Sequence, residues 1–155
     1  MATRYDGLQR APRSAETVLP LPAEHPPTIL IVEDDPVFSV ALQRFIRKLT
    51  PRYDILQVTN GDAALTELDR RQVPLVITDY HLVASMNGLK LTSAIHQRFP
   101  DTRIVLITAY ATTEIEHAAA AEGADFYLPK PFLLTDLEQI VYPVLAWWES
   151  RNQQC

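Results

Sequence analysis

Cysteine is nearly missing from this chain: among 155 residues only the last, Cys155, carries a thiol. An internal disulfide and a thiolate metal site are thereby excluded. No apolar run approaches the ~20 residues a helix needs to cross a bilayer. The first residues also lack the charged-then-apolar order of a secretion signal, which predicts a cytoplasmic protein with no membrane partner. Lys and Arg form no cluster, and the formal net charge is -5, which argues against a nucleic-acid-binding surface. The length suits one domain that buries roughly two-thirds of its unfolded surface.

Proline, by contrast, is plentiful at one end. Pro12, Pro20, Pro22, Pro26 and Pro27 are five of the twelve, and residues 1–27 show neither helical nor strand periodicity. This predicts an extended, mobile leader, with docking of Val18, Leu19 and Leu21 on the body as the other reading. From Thr28 to about residue 149 strands and helices alternate at short spacing, the pattern of repeated βαβ units, and 150–155 read as a short tail.

Four apolar runs mark buried strands: Ile29-Leu30-Ile31-Val32, Leu75-Val76-Ile77-Thr78, Ile104-Val105-Leu106-Ile107 and Phe126-Tyr127-Leu128. Continuous apolar runs between turn signals are how strands covered on both faces of a parallel sheet read. A weaker strand is expected at Ile55–Thr59. Helix signals lie between them: Asp35-Pro36 as cap and first residue, Asn60 as a cap, Gly88 before a third helix, and Gly123 as a left-handed stop after an alanine-rich one. Thr135 to Glu138 reads as a capping box opening the last helix. Pro143 lies inside that helix and predicts a kink.

Each strong run ends at a chemically active residue: Glu33 and Asp34, Asp79, Thr108, and Lys130 after Pro129. In open parallel sheets the ligand site lies beyond the carboxyl ends of the strands. Three crowded carboxylates repel one another unless a cation joins them. Oxygen-only ligands with open positions suit Mg²⁺ or Mn²⁺, and a carboxylate beside such an ion can attack an activated phosphoryl group. Singly, each residue has an ordinary reading as a cap, a surface lysine or a strand-end hydroxyl. Their joint placement at successive strand ends does not.

The blocks ILIVEDDP at 29–36, LVITDY at 75–80, IVLITAYA at 104–111 and DFYLPKPF at 125–132 resemble the response-regulator receiver domains of two-component signalling, the CheY-like family. The resemblance implies a doubly wound five-stranded parallel α/β sheet of order 2-1-3-4-5; the fold rule itself uses CheY as an instance. It implies Asp79 as phosphoacceptor. The metal ligands it implies are Glu33, Asp34, Asp79 and the backbone carbonyl of His81, with Asp34 direct and the longer Glu33 acting through water. Thr108 and Lys130 match the phosphoryl-sensing hydroxyl and lysine, Tyr127 the rotating aromatic, and Lys130-Pro131 a bond that is usually cis in the family. Departures are Val83 where the family commonly has proline, and Gly88 nine rather than eight residues after Asp79, a loop one residue longer. His81 and Tyr110 flank the path of hydrolytic water and are expected to bear on the lifetime of the phosphoryl group.

The implied function is a phosphoaccepting switch that catalyses only its own phosphorylation and dephosphorylation. Its donor is a sensor histidine kinase or a histidine phosphotransfer protein, and its output is contact with a target protein or with a second copy of itself. A phosphorelay intermediate, or a receiver piece of a larger hybrid kinase or regulator, stays open. A haloacid-dehalogenase-type phosphatase is disfavoured because Glu33-Asp34-Asp35-Pro36 lacks the D-x-D spacing. A phosphate-independent scaffold would lack the acceptor, the acidic pair or the lysine. Trp147 and Trp148 point about 100° apart on a helix, so one indole is expected to stand partly exposed beside the output face.

Overall fold

The computed structural model describes residues 25–153 apart from Ser85. Most of the proline-rich leader, and Cys155, therefore lie outside the described residues. Five strands, β1 (Thr28–Val32), β2 (Asp54–Val58), β3 (Leu75–Asp79), β4 (Arg103–Thr108) and β5 (Phe126–Pro129), alternate with α1 (Pro36–Leu49), α2 (Gly61–Arg70), α3 (Gly88–Arg98), α4 (Thr113–Ala121) and α5 (Leu134–Asn152). All neighbouring strands pair in parallel, in the order β2-β1-β3-β4-β5 expected from the sequence.

Side chains alternate across each strand, and two cores result. Ile29 and Ile31 of β1 join Ile77, Ile107, Leu42, Ile46, Leu137 and Val141 on the α1–α5 side. Leu30 and Val32 join Val76, Ile104, Ala64, Leu91 and Ile95 on the α2–α3 side. The inner strands β1 and β3 are buried throughout, whereas β2, at the sheet edge, is half-buried along its length. That exposure explains why its sequence pattern is weaker and its bounds fall one residue earlier than expected.

The helix starts explain how loops reach the site. Asp35 caps α1 by accepting from the Val37 and Phe38 N–H groups, and Asn60 caps α2 through Ala63 N–H. Helix α3 begins one residue earlier than the expected start after Gly88. Asn87 is the cap, accepting from Lys90 N–H at 2.9 Å, and Gly88 is the first helical residue. What requires glycine there is proximity: a Cβ would lie 2.1 Å from the Asp79 carbonyl oxygen. Gly88→Ala is expected to cost about 3 kcal/mol by overpacking, against the gain alanine would bring to an unobstructed helix. Urea denaturation checks this, and an unchanged midpoint would show that the loop gives way freely.

At its other end, α4 stops where Gly123 adopts φ 102°, and the Gly123 and Ala124 N–H groups donate to Ala120 and Ala119 carbonyls. The expected capping box at Thr135 is not formed. Helix α5 starts at Leu134, and Asp136 reaches back to the Leu133 N–H at 3.0 Å, supplying half of such a box two residues earlier. Leucine at the cap has no acceptor to supply the other half.

Helix α5 is unbroken through Pro143 and extends to Asn152, beyond the expected start of the tail. Pro143 and Gln139 are both exposed, so water can satisfy the carbonyl that proline leaves unpaired. The last turns are fastened beneath the sheet, at the amino ends of the strands. Tyr53 and Arg52 bond Glu149, and Arg151 pairs with Asp101 at 2.9 Å. Trp147 stacks against Arg103, at 3.9 Å, and Arg151, at 5.1 Å, while Trp148 lines a cavity with Phe99 and Pro100. The expectation of an indole beside the output face is therefore corrected. Both rings are half-buried at the opposite edge of the sheet, because α5 starts just after Lys130 at the carboxyl edge and its later turns reach the amino ends of the strands.

Candidate phosphoacceptor site

The carboxyl ends of β1, β3, β4 and β5 converge on one open cleft of about 610 Å³, lined by Glu33, Asp34, Asp79, His81, Tyr110 and Lys130 among others. Parallel pairing puts Val32 beside Thr78 and Asp79 beside Ile107, so the residues at or just past each strand end come together on one edge. Asp79 is held by the backbone around it. Its Oδ1 accepts from His81 N–H at 3.2 Å, while Tyr80 N–H donates to the Ile107 carbonyl at 2.7 Å.

Oxygens of Glu33, Asp34 and Asp79 lie within 4.8 Å of one another. That is close enough for one hard cation to be shared among them, directly or through a water it carries. The oxygen-only set and open cleft fit a hard divalent cation. Burial first, with the Asp79 charge adding, pushes the Glu33 carboxyl up to about 7, against the opposing Asp35 N–H and Lys130.

The two acidic neighbours are differently occupied. Glu33 is buried, with Oε2 accepting from Asp35 N–H at 3.0 Å and Oε1 3.6 Å from Lys130 Nζ. Asp34 is half-exposed at the mouth, its Oδ2 accepting from Val83 N–H at 3.2 Å. This bond from the lengthened β3–α3 loop was not foreseen. The only sequence signal near it is the extra residue, and Ala84 beside Val83 takes a left-handed φ of 82°.

Lys130 Nζ stands 3.3 Å from Asp79 Oδ2. The Lys130-Pro131 peptide is cis, as the resemblance implied, and Lys130 N–H donates to the Thr108 carbonyl at 2.7 Å. Thr108 is fully buried and its hydroxyl accepts from Tyr110 N–H at 3.0 Å. His81 packs edge-on against both Tyr80, at 5.0 Å, and Tyr110, at 4.9 Å, forming one wall of the cleft. The Tyr127 hydroxyl is buried without a well-formed hydrogen bond. Burial, with Glu116 adding, raises its pKa, while the Thr112 backbone opposes.

A doubly wound parallel sheet carrying an acidic cluster, a threonine and a lysine at its carboxyl edge is the architecture of a signalling receiver. The family model for the response regulator receiver domain matches residues 29–142, and the chain belongs to that family. Over 104 residues it is 35% identical to the response regulator protein FleR of Pseudomonas aeruginosa, covering 67% of this chain and 21% of FleR. It is 30% identical over 123 residues to the photosynthetic apparatus regulatory protein RegA of Rhodobacter capsulatus, covering 79% of this chain and 64% of RegA. Among solved structures, the signal receiver domain of an HD domain-containing protein from Pseudomonas fluorescens Pf-5 superposes with a TM-score of 0.75 at 30% identity, covering 84% of this chain and 95% of that one. The chain thus spans less than two-thirds of either curated relative. Among the described residues no helix is long and apolar enough to cross a membrane.

Proposed function

We propose that this receiver accepts a phosphoryl group on Asp79 from a phosphohistidine donor, in a reaction that requires Mg²⁺ or Mn²⁺. The observation that carries this reading is the cluster of three carboxylates within 4.8 Å, with the Lys130 ammonium 3.3 Å from Asp79. Asp34, Asp79 and the His81 carbonyl would hold the ion, with Glu33 acting through water. The bound ion supplies positive charge against the oxygens of Asp79 and the phosphoryl group, so that two anions can approach.

An Asp79 carboxylate oxygen attacks phosphorus, the P–N bond breaks, and its electron pair leaves with the imidazole. Lys130 is placed to balance the charge gained at Asp79, and the Thr108 hydroxyl to donate to a phosphoryl oxygen. The same hydroxyl accepts from Tyr110 N–H while its own proton is free to donate, which links the phosphoryl group to the β4–α4 loop. A donor protein finds apolar purchase beside the cleft. Val37 and Val40 of α1 and Leu133 and Leu134 at the start of α5 are 46–79% exposed, and Leu134 also lines the groove beside Lys130; exposed apolar surface of this kind marks contact sites.

A phosphotransfer profile against the histidine kinases and phosphotransfer proteins of the source organism tests the donor class. One or a few should transfer to this chain within seconds, and transfer from none of them would overturn it. Output follows from a two-state bias on the face of α4, β5 and α5 through Thr108 and Tyr127. Thr108→Ala is expected to accept phosphate yet show little phosphorylation-dependent change in affinity for its target. A variant keeping the full change would remove Thr108 from the switch.

A further inference from the structure

We infer that Phe38 is a positioning residue for Lys130 and, through it, for phosphoryl acceptance at Asp79. This deepens the proposed function and rests on it. The Lys130 ammonium lies 4.0 Å from the centroid of the Phe38 ring, within cation–π range, while Asp79 and Glu33 draw it from the other side at 3.3 and 3.6 Å. Phe38 is itself braced. Its ring meets Phe132, two residues beyond Lys130, edge to face at 6.2 Å, and it packs against the α1–α5 core.

The lysine thus sits between a carboxylate pair and an aromatic face. A lysine carries a compact charge on a four-carbon stem with much rotamer freedom. Two anchors of different kind restrict it to the space in front of Asp79, where a phosphoryl oxygen would arrive. With the ring gone, the stem could swing into the open groove of about 530 Å³ that Phe38 shares with Leu42, Pro131, Phe132 and Leu134. Leucine would preserve the apolar packing of this half-buried position, so the aromatic face is the separable part.

The test compares wild type with Phe38→Leu, which keeps apolar bulk, and Phe38→Tyr, which keeps the ring. Beryllofluoride affinity in excess Mg²⁺ is expected to fall about threefold to fivefold in Phe38→Leu, the size of a partly exposed cation–π contact. Phe38→Tyr should stay near wild type. The chain contains three lysines, Lys48, Lys90 and Lys130, so selective labelling gives few signals. Without any ligand, the Lys130 ε-methylene should show an upfield ring-current shift in wild type and Phe38→Tyr that disappears in Phe38→Leu. Full affinity in a folded Phe38→Leu, or an unchanged methylene shift in that variant, would overturn the role. Failure of wild type itself to bind beryllofluoride would sink the phosphoacceptor reading and this role with it, whereas failure of the contrast between variants sinks the role alone.

Discussion

Replacing Asp34 by alanine is expected to weaken Mg²⁺ binding roughly 100-fold, and replacing Glu33 only about tenfold, the range spanned by losses around metal sites. The difference follows from what each carboxylate is already doing. Asp34 is at the mouth of the cleft and its side chain accepts one long bond, 3.2 Å from Val83 N–H, that an ion readily outcompetes. Glu33 is buried, with one oxygen engaged by Asp35 N–H and the other near Lys130. It contributes charge from behind rather than an open coordinating oxygen. Tryptophan fluorescence is a poor probe because both indoles lie at the opposite edge of the sheet. Calorimetry, or relaxation of water protons by Mn²⁺, reads the ion directly. Equal losses in the two variants would reject the ranking.

The second large effect is on pH. Burial and Asp79 hold the Glu33 carboxyl at about 7 in the metal-free fold, against 4.5 for the free group. A carboxyl raised on folding favours the native state in its protonated form. Its penalty is therefore absent below about pH 4.5, grows as pH rises to about 7, and stays constant above that. Metal-free protein in EDTA should lose thermal stability across that window as pH rises. With Mg²⁺ the sign reverses, because the ion and the proton compete for one cluster and binding expels the proton. Mg²⁺ affinity is expected to drop about tenfold from pH 8 to pH 6, as one proton returns to the cluster. Glu33→Gln should flatten both profiles. Retention of both slopes in that variant would place the titrating group elsewhere.

The residues of the site were legible because of where they stand. Strands buried on both faces leave uninterrupted apolar runs, so the polar residue ending each run is conspicuous, and the parallel order puts all those ends on one edge. Glu33, Asp34, Asp79 and Lys130 are brought together as the pattern implied, and Thr108 ends β4 beside them. The strand order itself is not written in any local pattern; it came from the family resemblance and is what the sheet shows.

The readings that failed depend on geometry no local pattern carries. The start of α5 was misplaced because Asp136 serves a leucine cap, which no composition rule anticipates. The place of the tryptophans depends on how far α5 has run back along the sheet by its fourth turn, where their neighbours are Arg103 and Phe99 rather than the α4–β5–α5 face. The Val83 bond to Asp34 spans 49 residues and needs the exact turn of a lengthened loop. Nothing in the local sequence singles out Phe38. Its face meets Lys130 only because β5 returns beside β4, which brings the start of α5 against α1.

The most direct measurement is the intact mass of the protein after incubation with acetyl phosphate. Wild type with Mg²⁺ should gain a single phosphoryl group, wild type with EDTA none, and Asp79→Asn none in either case. A phosphoryl group on Asp79→Asn in Mg²⁺, or an equal gain by wild type in EDTA, would contradict acceptance at Asp79 through a metal-dependent cluster.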